Sequence, residues 1–183
     1  MKTFRKIKNN NSGFTLIETM VAVLILSMAL VSLMSLISSS LFYAKYSRNE
    51  ITANYLLQEV IDSVKNERST NLLNPSSSDW NNFISKYSLC SGNGCEIDAK
   101  TGSVFKPCSF DTSPNNSCDY LNYDDTASAG SFYNYTNGTK SNFNRKVVIT
   151  SDDHELKINV TVYWKNGTVL KSRSLTNSVL NWP

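Results

Sequence analysis

The sequence predicts an α+β fold in which a long N-terminal helix, transmembrane and then amphipathic, packs on a small C-terminal antiparallel β-sheet. Two observations carry this prediction: an uninterrupted helical pattern over residues 14–73 and a two-residue alternation of apolar side chains over residues 156–164. The 183 residues leave room for one modest domain after a membrane segment, since domains usually hold about 100–150 residues.

The helical pattern begins with an apolar run. No charged residue occurs between Thr19 and Ala44, a stretch long enough to cross a hydrocarbon core of about 30 Å as a helix. Glu18 stands at the head of this run, where an unpaired carboxylate is costly, so its presence indicates a function. The basic residues before the run predict that the N-terminus stays in the cytoplasm; they are Lys2, Arg5, Lys6 and Lys8.

The formal net charge of +3 arises from this basic leader. After Gly13 the chain carries 14 basic and 15 acidic side chains, which nearly cancel. The basic pI is therefore no sign of nucleic-acid binding, and we do not expect nucleic acid as a partner.

Residues 45–70 are expected to continue the same helix as its amphipathic half. No Gly or Pro occurs between Phe14 and Leu73, so we expect one helix of about 55 residues. The apolar residues of its second half recur with a period close to 3.6 and should form the buried face; they are Ile51, Tyr55, Leu57, Val60, Ile61 and Val64. The charged residues of this half, among them Arg68, lie mostly off that face.

Residues 71–144 show weak periodicity and are expected to be mostly loop, with a short helix at Trp80 to Tyr87. This region holds all four cysteines: Cys90, Cys95, Cys108 and Cys118. Outside the cytoplasm, disulfides are favoured over free thiols. Three pairings are open, of which Cys90–Cys95 and Cys108–Cys118 close the shortest loops. The spacing lacks the Cys-x2-Cys pairs of structural zinc sites, so we expect no metal and no other cofactor.

Residues 145–183 predict an antiparallel β-meander. From Leu156 to Trp164 apolar and polar side chains alternate, as in a strand with one buried face. Asn166-Gly167 then predicts a type I′ hairpin whose second strand runs over residues 168–175. An earlier strand over residues 145–150 should precede these two across an Asp152-Asp153 turn.

The sequence gives no sign of catalysis, and we predict that the chain is not an enzyme. His154 is the one histidine, in a predicted turn, and a glycine-rich phosphate loop is absent. An aromatic-rich stretch could serve as a surface for adhesion or base stacking, but few basic residues interleave with it, which favours packing; it comprises Tyr120, Tyr123, Phe132, Tyr133, Tyr135 and Phe143.

The segment Gly13-Phe14-Thr15-Leu16-Ile17-Glu18 resembles the class III leader junction of type IV pilins and type II secretion pseudopilins. The resemblance implies that a prepilin peptidase cleaves after Gly13, removing residues 1–13, and N-methylates Phe14. It implies that residues 14–44 form a transmembrane helix that becomes filament core. An amine and a carboxylate that are costly alone are tolerable as a pair, so Glu18 of one copy would meet the Phe14 amine of the next and set the axial register.

Two further stretches are similar to PilV-type minor pilins: residues 53–68, and the C-terminal close that includes Val162-Tyr163-Trp164 and Leu180-Asn181-Trp182. This implies a minor subunit of a type IV pilus or related filament, in adhesion, DNA uptake or priming of assembly. Its partners would be other pilin subunits and an inner-membrane assembly platform of a prokaryote, with the head extracytoplasmic and the assembled filament extracellular. The alternatives are a type II secretion pseudopilin and a membrane-anchored binding or adhesin domain that never polymerises.

Overall fold

The computed structural model describes residues 13–74, 79–109, 117–126 and 130–181. Most of the predicted leader, residues 1–12, lies outside the described residues. The chain divides into two compact units, Met1–Lys45 and Tyr46–Pro183. Helix α1 (Leu16–Leu73) supplies residues to both, as expected of a segment without Gly or Pro.

The second unit joins helices to an antiparallel sheet, so the α+β prediction is confirmed. After α1 come α2 (Trp80–Lys86) and a 3-10 turn (Ser88–Cys90). The strands are β1 (Cys95–Asp98), β2 (Ser103–Pro107), β3 (Tyr120–Asp124), β4 (Phe132–Asn134), β5 (Thr139–Ser151), β6 (Glu155–Asn166) and β7 (Val169–Leu180). Strands β5, β6 and β7 form a meander. On the other edge of β5, both β1 and β3 pair with it; β2 then pairs with β1, and β4 pairs with β3.

Residues 71–144 differ from the mostly loop region that the sequence predicts. The helix near Trp80 is present, but this region also contains β1 to β4 and the start of β5. These four strands are only three to five residues long, and β1 is buried at every position. Such short strands show no readable alternation, which is why periodicity missed them.

The buried face of α1 is rotated from the predicted one. Ile51 and Tyr55 are 53% and 69% exposed, so their predicted burial was wrong. Ala53 and Leu56 are buried instead. Both sets of residues have helical spacing, so periodicity alone could not tell the buried face from the exposed one. The small side chain of Ala53 lets the helix pack closely at its buried face. The buried positions of α1 are Ala53, Leu56, Leu57, Val60, Ile61, Val64 and Arg68.

A fully buried arginine joins α1 to the sheet. Arg145 lies on β5, and one terminal nitrogen donates to the Leu56 carbonyl at 3.1 Å and to the Glu59 carboxylate at 2.9 Å. The other donates to the Ile97 carbonyl of β1 at 2.9 Å. The planar guanidinium thus ties three elements together, a task that suits its fixed fork of donors.

Arg68 is also buried, which the prediction of an off-face position missed. Its guanidinium lies 5.0 Å from the Trp80 ring centroid, and it donates to Asn181 Oδ1 at 3.2 Å. A cation over an indole ring is a favourable arrangement. Arg68 therefore connects the end of α1 to α2 and to the residue that follows β7.

The turn of the β6–β7 hairpin differs from the predicted type I′ turn. Asn166 pairs with Val169, so the central turn residues are Gly167 and Thr168. Gly167 has φ +64°, whereas no described non-glycine residue has positive φ. A type I′ turn needs positive φ at both central positions, so that prediction was wrong; the pattern fits type II′.

Candidate functional site

The predicted cleavage junction precedes the first helix. Gly13, Phe14 and Thr15 are non-helical, and α1 begins at Leu16. Gly13 is exposed, and Phe14 is 80% exposed. The Gly13–Phe14 peptide bond thus lies in non-helical, accessible backbone, which a protease active site can reach.

Thr15 and Glu18 form one half of a capping box. The Glu18 N–H donates to Thr15 Oγ1 at 3.3 Å and to the Thr15 carbonyl at 3.1 Å. Thr15 is therefore the N-cap, and Glu18 is the acidic residue of the first turn. The sequence reasoning overlooked this local role, although Thr-x-x-Glu before an apolar run is its signature.

Residues 16–45 of α1 are exposed at every position. An 18-residue window of this helix reaches a mean hydropathy of 2.6, enough to cross a membrane by length and composition. Several hydroxyls bond back to their own helix, for example Ser27 to the Leu24 carbonyl and Ser32 to the Ala29 carbonyl, each at 2.8 Å. Such bonds satisfy a polar group in apolar surroundings. This segment fits a single-pass membrane anchor.

The four cysteines lie together in the second unit. Disulfides join Cys90 to Cys95 and Cys108 to Cys118, at sequence separations of 5 and 10. Glu96 has a carboxylate oxygen within 4.8 Å of both sulfurs of the second bridge. Because those sulfurs are bonded to each other, they offer no thiolate, and the three side chains do not form a metal site in this state.

The aromatic-rich stretch lies on β3, β4 and β5 and in the turn after β4. Phe143 and Tyr135 are buried, and Tyr133 packs edge-on to Phe143 at 5.9 Å. Burial raises the pKa of Tyr135 to about 12. Tyr123 remains 37% exposed. Part of the stretch is therefore core, and part lines the surface.

His154 lies exposed in the turn between β5 and β6. Asp152 Oδ1 accepts the N–H groups of His154 and Glu155 at 2.8 and 2.7 Å, which fixes the turn and holds the pKa of Asp152 below its usual value. These two hydrogen bonds to Asp152 account for the conformation of the turn, in which His154 is an exposed residue.

Comparison with known proteins bears on the N-terminal segment. Residues 8–34 match the family described as "Prokaryotic N-terminal methylation motif". No curated protein and no solved structure gave a significant match to the chain. The family is structural rather than enzymatic, and the motif implies processing by prepilin peptidase and assembly with other pilin subunits. The chain thus carries the N-terminal signal of type IV pilin-like and pseudopilin precursors.

Proposed function

We propose that this chain is a minor pilin-like structural subunit of a type IV pilus or a related filament. The observation that carries the proposal is the junction Gly13 to Glu18 at the start of a helix whose next turns are apolar on all faces and exposed. A helix that is apolar all round requires a bilayer or other helices around it. A pilin-like subunit uses both in turn.

In this proposal a prepilin peptidase cleaves the Gly13–Phe14 bond and methylates the new amine of Phe14. The amine then precedes the N-cap residue Thr15 by one position, at the positive end of the helix dipole. The Phe14 amine and the positive end of the helix dipole together make a carboxylate from a second copy a favourable neighbour. Glu18 of that copy is the carboxylate that assembly would bring there.

The topology follows from charge and from the cysteines. The basic leader keeps the N-terminus in the cytoplasm, so the second unit lies outside it. Both disulfides fall in that unit, where an oxidising compartment would preserve them. The partners are the prepilin peptidase, other pilin subunits and an inner-membrane assembly platform.

Intact-mass measurement of the mature protein tests the processing step. Expressed with a prepilin peptidase, the chain should lose residues 1–13 and gain one methyl group on Phe14. Gly13→Leu should retain the full leader, because a bulky residue replaces the one beside the cut. A mature protein that keeps Met1, or a cut elsewhere, would refute the assignment of the junction.

Substitution of Glu18 tests the proposed charge pair. Glu18→Gln keeps the side-chain length and can still complete a capping box, whereas it removes the charge. We expect Glu18→Gln and Glu18→Ala to be cleaved but absent from sheared filaments. Thr15→Ala, which removes the cap and leaves the carboxylate, should still assemble. Normal assembly of Glu18→Gln would eliminate the charge pair.

A further inference from the structure

A cleft of about 580 Å³ opens in the second unit between α1 and the β3–β4 pair. Its apolar wall is aromatic: Tyr55 from α1, Tyr123 from β3, and Phe132 and Tyr133 from β4. Tyr123 and Tyr133 contact each other at a centroid distance of 5.2 Å, which holds both rings in place. The exposed Tyr55, which the sequence assigned to the core, thus has a place on a surface cavity.

The charged side chains that line this cleft are both acidic. Glu59 is already paired with Arg145 at 2.9 Å, so its charge is largely compensated. Asp62 is exposed and forms no ion pair with any residue that the structure describes. The cleft therefore combines π-faces with one uncompensated negative charge, and it would repel a phosphate or a nucleic-acid backbone.

A side chain of this protein already shows how an ammonium contacts the wall. Lys100 Nζ lies 3.8 Å from the centroid of the Phe132 ring. A cation within about 6 Å of a ring centroid is attracted by the ring quadrupole. A cation–π contact is thus already present at the edge of the cleft, made by the same functional group that Asp62 would attract.

We propose that this cleft binds an alkylammonium group, with Asp62 as the counter-charge and Tyr55 and Tyr123 as ring contacts. The group can come from a lysine side chain of a polypeptide or from a small quaternary amine. Both present a positive charge clothed in methylene or methyl groups, which aromatic side chains and one carboxylate together recognise. Binding of this group by the second unit does not depend on filament assembly.

Calorimetric titration of the full-length chain in a maltoside detergent provides the test. Maltoside avoids the quaternary ammonium of phosphocholine detergents. The two probes are N-acetyl-lysine-N′-methylamide and choline. Each has a neutral isostere as control: the N-acetyl-N′-methylamide of 2-aminoheptanoic acid, whose pentyl side chain replaces the ammonium of lysine by a methyl group, and 3,3-dimethyl-1-butanol. Binding of one amine without its isostere supports the proposal and identifies the source of the group.

Variants then locate the site. Asp62→Asn and Tyr55→Leu should each weaken binding about fivefold, since each removes one partially exposed contact of the cation. Lys100→Gln should strengthen it, because a competing positive charge is removed. Asp153→Asn, an equal loss of charge in the β5–β6 turn, should change nothing. The proposal fails if neither amine binds, if the isosteres bind equally well, or if Asp62→Asn behaves like Asp153→Asn.

Discussion

The two halves of α1 are both rich in apolar residues, yet they meet different surroundings. In residues 16–45 every position is exposed. In residues 46–73 seven positions are buried at helical spacing. The first half is apolar around its circumference, whereas most apolar residues of the second half lie on one buried face. Periodicity rather than apolar content therefore decides which half the protein's own fold can cover.

Each of the two units also places one carboxyl group where charge is costly: Glu18 in the first and Glu96 in the second. Glu96 is fully buried; one oxygen accepts the Asp119 N–H and lies 3.9 Å from Lys106 Nζ. Its other oxygen has no hydrogen-bond partner within the part of the chain that the structure describes. Glu18, by contrast, is exposed on a helix that needs an apolar environment. Contacts within the fold offset the cost of burying Glu96, whereas the partner that we propose for Glu18 belongs to a second copy of the chain.

The largest effect on the stability of the second unit should come from Arg145→Ala. The change removes the guanidinium that donates hydrogen bonds to the carbonyls of both Leu56 and Ile97. We expect a loss of about 3–5 kcal/mol of unfolding free energy, typical of a broken buried ion-pair network. Denaturant unfolding followed by tryptophan fluorescence measures it, because Trp80 and Trp164 lie in the core of the second unit.

Arg173→Ala is the matched control for Arg145. Arg173 pairs with Glu50, but its side chain is 54% exposed. Exposed pairs contribute about 0–1 kcal/mol, so this variant should unfold close to the wild type. Similar losses in the two variants would show that the arginine of β5 does not hold α1 to the sheet.

A pair of leucine truncations tests the contrast between the halves directly. Leu57 is 2% exposed and Leu33 is 54% exposed. In detergent, Leu57→Ala should lower the unfolding free energy of the second unit by about 2–4 kcal/mol, the cost of a buried cavity. Leu33→Ala should leave it within about 0.5 kcal/mol, as expected of a site outside that core. An equal effect of both would remove the distinction.

The sequence predicted the parts of this fold that repeat with a clear period. Residues 156–164 alternate over nine positions, and β6 contains them all. The junction at Gly13 was found because its residue types occur in one contiguous segment. By contrast, Arg145 donates to carbonyls that are 48 and 89 positions away in the sequence, and Glu96 accepts an N–H that is 23 positions away. No local pattern encodes such contacts, and the cleft beside Tyr55 was missed for the same reason.

The smallest effect concerns the carboxyl group that the second unit buries. Burial raises the pKa of Glu96 above 4.5, against the opposing influence of the Asp119 N–H and of Lys106. The folded state then keeps a proton that the unfolded state has lost. Stability from this group is therefore full below pH 4.5 and declines as the pH rises through the folded-state pKa. Glu96→Gln keeps an acceptor for the Asp119 N–H and cannot ionise, so its unfolding free energy should vary less with pH in that window.

Asp152→Asn supplies the comparison with the opposite sign. The N–H groups of His154 and Glu155 lower the pKa of Asp152 below 3.8, so its contribution is present above that pH and lost as the pH falls through the folded-state value. Its removal should flatten the acid limb of the stability curve and leave the slope of the curve above pH 4.5 unchanged. If the unfolding free energies of wild type and Glu96→Gln change in parallel between pH 4.5 and about 7, Glu96 ionises as readily in the folded state as in the unfolded state. The second unit would then not bear the cost of a buried carboxyl group, and the contrast with Glu18 would fail.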